Sequence, residues 1–410
     1  MISLEEARAA ILARIEPLPA ETIPLERALG RVLAAPVLTR DAIPPFDNTA
    51  MDGFAVHAGD LEGASDSTHV TLPIAEVIEA GRPASRALEP GEAMRIFTGA
   101  PSPHPEAAVV PFEHCERYDD ETVTFRAPIA PRAHIRGAGE DFHAGDVALP
   151  EGTQLTPAAL GVLATVGCPN PSVRRRPRVA VHSSGDELVP IDAELTPGKI
   201  RNSNLTSIVA RLEQWGAEPI PRPVLPDDPE AIRSGFRETL ETKPDAIITT
   251  GGISAGDLDY IREVARELGD DVAVRKVNMK PGKPLVDGRL GGIPYFGLPG
   301  NPAACLVSFE IFVRPALAAL EGRPDAALPR RSARVSVGRK FPKAGRLQFL
   351  RGSVAFDEET GEYLLGPLGG QGSHLLSSFA AANCLVRVGP EVAQLNAGDR
   401  VDVLLLADPR

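Results

Sequence analysis

The residues best suited to chemistry stand in four short segments of the second half of the chain. Seven of the 43 basic residues are lysines, and three of those seven, Lys276, Lys280 and Lys283, fall within eight positions. Their segment, KVNMKPGKP (276–284), offers point charges for an oxyanion, and its Pro-Gly and Pro residues fix the loop that carries them. A second segment, SSGDEL (183–188), brings Ser184, Asp186 and Glu187 together. A third, TTGGISAGDLD (249–259), holds Gly251, Gly252, Ser254, Asp257 and Asp259. Glycines let a backbone approach a phosphate, and a following helix start offers unpaired N–H groups. Asp257 and Asp259 suit Mg²⁺, a hard ion that takes one or two carboxylates plus phosphate oxygens and water. The fourth, GLPGNP (297–302), is a rigid turn, Pro299-Gly300-Asn301-Pro302, that opens an apolar helix and so forms an anion seat. Each segment alone also fits a plain turn. Together they point to a phosphate-bearing ligand and a divalent metal.

Gly252-Ile253-Ser254-Ala255-Gly256 also matches G-x-S-x-G, the nucleophile elbow of α/β-hydrolases. That chemistry needs a later acid and histidine, and only His374 follows Ser254. Two aspartates directly after the motif fit a metal better than an acyl nucleophile. The P-loop pattern G-x-x-x-x-G-K-[ST] is absent.

The elements that must position these segments alternate between strand and helix. Apolar runs at 178–184, 219–225, 245–250, 272–277 and 293–297 read as strands. Helical patterns fill 205–215, 229–240, 259–268 and 302–320, with Asn204 and Asp228 as candidate N-caps and Pro229 at a first helical position. Such alternation predicts a mostly parallel sheet covered on both faces, with ligands at the carboxyl ends of its strands. The four segments sit at strand ends. Upstream, Ser3 and Glu6 form a capping box that predicts a helix over 3–15, and Pro24 starts a second short helix over 24–33. Residues 46–145 carry short apolar or alternating runs at 70–78, 94–97, 108–112 and 122–125, punctuated by Gly and Pro, which predicts a β-rich module. Thr156-Pro157 and Gly167 bracket another capped helix. Residues 169–178 read as a linker whose run Arg174–Arg176 is solvated. Past 330 short strands return and predict a small β module.

The chain has 410 residues and a net charge of -12, which excludes a general nucleic-acid or anionic-membrane binder. Residues 1–150 hold 12 basic and 24 acidic side chains and account for the whole excess, while the remainder is balanced. The four cysteines are far apart and form no CxxC, so neither a structural zinc site nor a disulfide framework is expected. No signal-like start and no run near 18 apolar residues is found, so a cytoplasmic protein without a membrane span is expected. In the acidic half, the loops around Asp52, Thr98 and Asp141 are rich in turn residues and read singly as structural.

The order of DNTAMDGFAV (47–56), RIFTGAP (95–101), SSGDEL, PDDPEA (226–231), TTGGISAGDLDY, KVNMKPGKPL, GLPGNP and QGSHLLSSFA (371–380) resembles the MoeA family of molybdopterin molybdenumtransferases and the equivalent domain of eukaryotic gephyrin. The resemblance runs the length of the chain. It implies a multidomain α/β plus β fold: a central parallel-sheet α/β molybdopterin-binding domain with β-rich N-terminal and C-terminal domains. The implied division is a helix at 1–23 packing on the α/β domain, a small linking domain from 24–45 and 147–177, a β-rich domain at 46–146, the α/β domain at 178–326 and a C-terminal β domain at 327–410. It implies insertion of molybdenum from molybdate into adenylylated molybdopterin with Mg²⁺-dependent release of AMP. It also implies a homodimer whose site is shared between subunits, with molybdopterin adenylyltransferase and molybdoenzyme apoproteins as partners.

Position by position, the resemblance assigns catalytic roles to Asp52, Asp141, Glu187, Asp227, Asp259 and Lys276. It assigns substrate contacts to Thr98, Ser184, Gly251, Gly252, Ser254, Pro299, Gly300, Asn301 and Pro302. Molybdate falls to Lys280, Lys283, Arg351 and Ser373, which suits a dianion seeking cations and a hydroxyl. Mg²⁺ falls to Asp257 and Asp259. Asp52, Thr98 and Asp141 would approach the site from a second subunit. Two departures from the family pattern are mild: His182-Ser183-Ser184 replaces a more apolar strand end, and Ala255 replaces a common valine. Neither removes a charged group. Two other readings of the α/β part are a nucleotide enzyme of the adenylyltransferase kind and a scaffold of the gephyrin kind.

Overall fold

The computed structural model describes residues 1–253, 260–323, 327–341 and 345–406. They form two compact units. One takes in Met1–Glu21, Gly30–Ala34 and the described residues from Val173 onward; the other takes in Thr22–Leu29 and Ala35–Ser172.

The larger unit is built on a six-stranded sheet in the order Glu218–Pro221, Arg178–Ser183, Ala246–Thr250, Ile293–Leu298, Pro284–Leu290, Gly269–Lys276. The first four strands are parallel, and Pro284–Leu290 runs antiparallel to both of its neighbours. Gly269–Lys276 therefore points the same way as the parallel set, and its carboxyl end shares their edge.

Alternation sends successive side chains to opposite faces. Val179, Val181, Ile248 and Leu298 join one core cluster with Ile208 and Leu212, while Ala180, Ile247 and Tyr295 join another with Ile232, Phe236 and Ile261. Both faces are covered, which is what parallel strands require. The N-terminal helix, Leu4–Leu12, buries Leu4, Ala7 and Ile11 in the first cluster. Its capping box is formed: the Glu6 N–H donates to Ser3 Oγ at 3.0 Å and the Ser3 N–H to Glu6 Oε2 at 2.7 Å. This helix stops at Leu12, short of the expected residue 15.

Pro302–Leu320 is long and apolar enough to cross a membrane by length and composition, although Glu310 and Arg314 interrupt its apolar run. Its most apolar stretch is wholly buried here, as the core helix of the sheet. The turn Phe309–Val313 is π-helical and holds Glu310, whose Oε1 forms an ion pair with Arg211 Nε at 3.2 Å. Arg314 lies over the Trp215 ring at 4.0 Å. Burial pushes the Glu310 carboxyl up, and the two arginines oppose that shift.

The same unit carries a seven-stranded sheet in the order Met279–Lys280, Leu347–Gly352, Cys384–Val388, Arg400–Leu405, Arg330–Val335, Glu362–Leu365, Val354–Asp357. Its first strand belongs to the lysine loop. Met279 and Lys280 pair in parallel with Leu347 and Gln348. The β module is thereby hydrogen-bonded to the edge of the α/β sheet that holds the glycine-rich turns.

The smaller unit is a six-stranded sheet in the order Ala107–Pro111, Gly53–His57, Ala93–Ile96, Val70–Ile78, Thr122–Phe125, Cys115–Tyr118, with Phe54, Phe125 and Val123 in one core and Met94, Ile96 and Val109 in another. It also carries the capped helix Pro157–Thr165, whose cap Thr156 accepts from the Ala159 N–H at 3.2 Å.

Three local expectations are corrected. The helix expected over 24–33 is only a 3₁₀ turn, Leu25–Arg27, because the chain turns at Gly30 with φ +76°. The helix Ser203–Gln214 is capped by Asn202 and not Asn204, since Asn202 Oδ1 accepts from the Leu205 N–H at 3.2 Å. Arg174–Arg176 is not a plain solvated run: Arg175 makes two bonds to Asp245, at 2.6 and 2.8 Å, and Arg174 donates to the Leu18 carbonyl at 3.1 Å.

Candidate functional site

The carboxyl edge of the α/β sheet faces the β module across a cleft of about 1190 Å³. One wall comes from strand ends. Arg178–Ser183 delivers Ser184, with Ser183 buried behind it, and Ala246–Thr250 delivers Thr250 and Gly251. Gly251 is required where it stands: its φ is +92°, and a Cβ there would lie 2.7 Å from the Ser184 carbonyl oxygen. Ser183 Oγ donates to Asn202 Oδ1 at 2.9 Å and lies 3.0 Å from Thr250 Oγ1. Asn202 Oδ1 thus serves both the serine and the helix cap, and its Nδ2, in a residue 7% exposed, has no partner among the described residues. Glu187 and Asp227 line this wall. Asp227 is held by the Asp186 N–H at 3.3 Å, and its own N–H donates to Asp186 Oδ1 at 3.2 Å.

The GLPGNP turn closes this wall, and Asn204 Nδ2 donates to the Gly300 carbonyl at 2.7 Å. Sequence reasoning made the following helix start an anion seat. One of its N–H groups, that of Ala303, is instead taken by the Ser373 carbonyl at 2.9 Å. That bond ties the turn to the β module and brings Ser373 to the cleft.

Between the walls lies the lysine loop, with Lys280, Pro281, Gly282 and Lys283 lining the cleft. Gly282 has φ +94°, and a Cβ there would lie 2.6 Å from Ser308 Oγ, so the loop closes on the core helix only with glycine. The opposite wall is basic: Arg339, Lys340, Arg346 and Arg351. Arg351 is 2% exposed. Its Nε donates to Ser378 Oγ at 3.1 Å and its Nη2 to the Gly372 carbonyl at 2.9 Å, while Nη1 has no partner among the described residues. Burial pushes its guanidinium down to about 10, and Arg339 pushes the same way. It stays charged at neutral pH. Gln348, also 2% exposed, leaves Nε2 unpartnered among the described residues.

Of the residues singled out from sequence, the fold gathers Ser184, Glu187, Asp227, Gly251, Gly252, Lys280, Lys283, Pro299, Gly300, Asn301, Pro302, Arg351 and Ser373 along this one cleft. Lys276 is not among its lining residues. It is exposed, and its carbonyl accepts from the Ile2 N–H at 3.0 Å. Asp52, Thr98 and Asp141 belong to the smaller unit. There Asp52 Oδ1 accepts from both the N–H and the hydroxyl of Thr98, each at 2.7 Å, which holds its carboxyl below the usual range. Ser254, Asp257 and Asp259 lie outside the described residues. Among the described residues no three His, Cys, Asp or Glu side chains cluster as a ready metal cage. Sequence reasoning missed Asn202, Arg339, Lys340, Arg346, Gln348 and His374 as lining residues; the one available signal was that Lys340 is one of only seven lysines.

Known proteins match this arrangement along its length. Residues 2–167 match the family described as "MoeA N-terminal region (domain I and II)", 180–319 the "Probable molybdopterin binding domain", and 334–406 the "MoeA C-terminal region (domain IV)". The molybdopterin molybdenumtransferase of Haemophilus influenzae is 35% identical over 405 residues, covering 98% of each chain. The chain belongs to the MoeA family. A second member, molybdopterin molybdenumtransferase 2 of Mycobacterium tuberculosis, is 39% identical over 387 residues, 93% of this chain and 94% of that one. Among solved members, a molybdopterin biosynthesis MoeA protein of Pyrococcus horikoshii superposes with a TM-score of 0.84 at 27% identity, covering 99% of this chain and 100% of that one. The family's multidomain α/β plus β architecture is the one described above.

Proposed function

We propose that the cleft inserts molybdenum from molybdate into adenylylated molybdopterin and releases AMP, making the chain a transferase of molybdenum cofactor biosynthesis. One observation supports this most. Among the described residues, the buried side-chain atoms that line the cleft without a partner are Asn202 Nδ2, Gln348 Nε2 and Arg351 Nη1, and all three are N–H donors. An unpaired buried donor is costly, so such a set fits a ligand rich in anionic oxygen. The lysine loop adds charge to the same space.

In this reading Lys280, Lys283, Arg351 and Ser373 hold the molybdate dianion. Ser184, Gly251, Gly252 and the turn Pro299–Pro302 seat the phosphate-bearing substrate, with Ser254 in the same stretch. Glu187 and Asp227 are hard oxygen donors, and with Asp257, Asp259, phosphate and water they suit Mg²⁺, which needs only one or two carboxylates. When bound, Mg²⁺ supplies neutralisation of phosphoryl charge. The chain's own contribution is positional and electrostatic: it aligns the phosphoryl link beside the oxyanion and needs no covalent protein intermediate. Lys276, outside the cleft, serves the charge of the loop rather than contact. A second copy of the chain brings Asp52, Thr98 and Asp141, as a homodimer in the cytoplasm.

The test is AMP release from adenylylated molybdopterin with and without molybdate. Wild type should require molybdate, and Lys280→Ala and Arg351→Ala should lose that response. Molybdate-independent release in the wild type would instead favour a nucleotide enzyme.

A further inference from the structure

Arg351 stands on the strand Leu347–Gly352, which has Cys384–Val388 on one side. On its other side the two-residue strand Met279–Lys280 pairs only as far as Gln348. The backbone of Arg351 therefore lies beyond the end of its neighbour. A side chain continues the ladder there. Gln371 Oε1 accepts the Arg351 N–H at 2.9 Å, and Gln371 Nε2 donates to the Arg351 carbonyl at 2.9 Å. The primary amide does what a strand would have done at that position.

The guanidinium is fixed as tightly. It is a rigid plane, so two bonds set the direction of the remaining N–H groups. Ser378 Oγ accepts from Nε, and its own proton goes to the Leu375 carbonyl at 2.6 Å, which leaves a lone pair facing Arg351. The Gly372 carbonyl takes Nη2. Among the described residues Nη1 is left without a partner, in a side chain that lines the cleft. All three holding groups come from one stretch, 371–378, which also presents Ser373.

We infer that Gln371 and Ser378 are positioning residues of the oxyanion site: Gln371 fixes the backbone of Arg351, Ser378 fixes the plane of its guanidinium, and together they aim Nη1 at the bound anion. This rests on the cleft's proposed use of molybdate and adds to it two residues that act through Arg351, of which Gln371 also lines the cleft. A guanidinium free to rotate would meet the anion in many poses, and loss of one bond to a charged group corresponds to roughly tenfold in affinity.

The experiment is steady-state AMP release by the full chain, with molybdate and adenylylated molybdopterin varied separately, for wild type, Ser378→Ala, Ser378→Thr, Gln371→Met and Arg351→Ala. Ser378→Ala and Gln371→Met should each raise the KM for molybdate roughly tenfold, leave the KM for the pterin substrate in place, and melt with an intact cooperative transition. Ser378→Thr keeps the hydroxyl and should restore the molybdate KM. Ser378→Ala added to Arg351→Ala should cost nothing further. Wild-type molybdate KM in both variants, or equal loss for both substrates with no rescue by threonine, would overturn the positioning role while molybdate-dependent wild-type turnover still stood. Absence of molybdate dependence in the wild type would instead remove the functional reading itself.

Discussion

The two walls of the cleft are built from opposite chemistry. The α/β wall offers hydroxyls, turns that need glycine, and the carboxylates Glu187 and Asp227; the β-module wall offers Arg339, Lys340, Arg346 and Arg351. They are positioned differently too. On the α/β wall the side chains ride directly on strand ends and are cross-bonded, as in Thr250, Ser183 and Asn202. On the basic wall Arg351 is buried and held by side-chain and carbonyl acceptors, with no carboxylate partner among the described residues. Elsewhere in the same unit Arg275, at the sheet edge, is satisfied by Asp287 through both Nε and Nη2, and its pKa is raised; that of Arg351 is lowered. An arginine with a carboxylate is a structural tie. One buried without a carboxylate is a place for a visiting anion. The contrast is what the proposed division of labour rests on: a metal with its phosphates on one wall and a bare oxyanion on the other.

The contrast is broken most severely at Arg351. Arg351→Ala should lower molybdate-dependent AMP release by at least roughly 100-fold, the order seen when one oxyanion donor is lost. Loss confined to the pterin KM would move the oxyanion off the basic wall. Asp227→Asn acts on the other wall. It should cut turnover on the order of tenfold and raise the Mg²⁺ needed for half-maximal rate, with the molybdate KM unchanged. An unaltered Mg²⁺ titration would dissociate Asp227 from the metal. Asp52→Asn tests whether a third group joins the two walls. Alone it should be slow. Mixed and re-assembled with Arg351→Ala, it should recover about a quarter of wild-type activity, because half of randomly formed dimers would hold one intact site of two. No recovery on mixing would confine each site to one chain.

The smallest effect is expected at His182, behind the α/β wall. It is 1% exposed, bonded to the Pro223 carbonyl at 3.0 Å and to Thr239 Oγ1 at 2.7 Å, and burial pushes it down to about 4. A base whose pKa is lowered on folding destabilises as the unfolded chain begins to protonate. Stability should be level above the unfolded value of 6.5 and fall toward pH 4, by up to about 3 kcal/mol. His182→Gln should flatten that part of the curve in denaturant titrations and leave activity at pH 7 near wild type. An unchanged slope would assign the acid sensitivity elsewhere.

Much of the α/β wall, and several helix starts elsewhere, was legible in the sequence because the signals are local. Glycines at strand ends, the Ser3 box, Thr156-Pro157 and Asp228-Pro229 each declare themselves within a few residues. The basic wall was less so. Arg351 and Ser373 were reached only through resemblance, and Arg339, Lys340, Arg346 and Gln348 not at all. They reach the cleft because Met279–Lys280 pairs with a strand nearly 70 residues later, and no local pattern encodes that. Arg175 with Asp245, also 70 residues apart, was missed for the same reason. The 24–33 segment failed differently: a proline start announced a helix, and the chain left it after one 3₁₀ turn. The N-cap misassignment is a contest between Asn202 and Asn204 two residues apart, decided by which oxygen reaches the Leu205 N–H.

The most direct test is a crystal of the protein soaked in molybdate and measured at the molybdenum absorption edge. An anomalous peak should lie within hydrogen-bonding distance of Arg351 Nη1 and close to Lys280, Lys283 and Ser373. A peak seated on the α/β wall beside Asp227, or none in the cleft when the ion is present at saturating concentration, would contradict the assignment of the basic wall to the oxyanion.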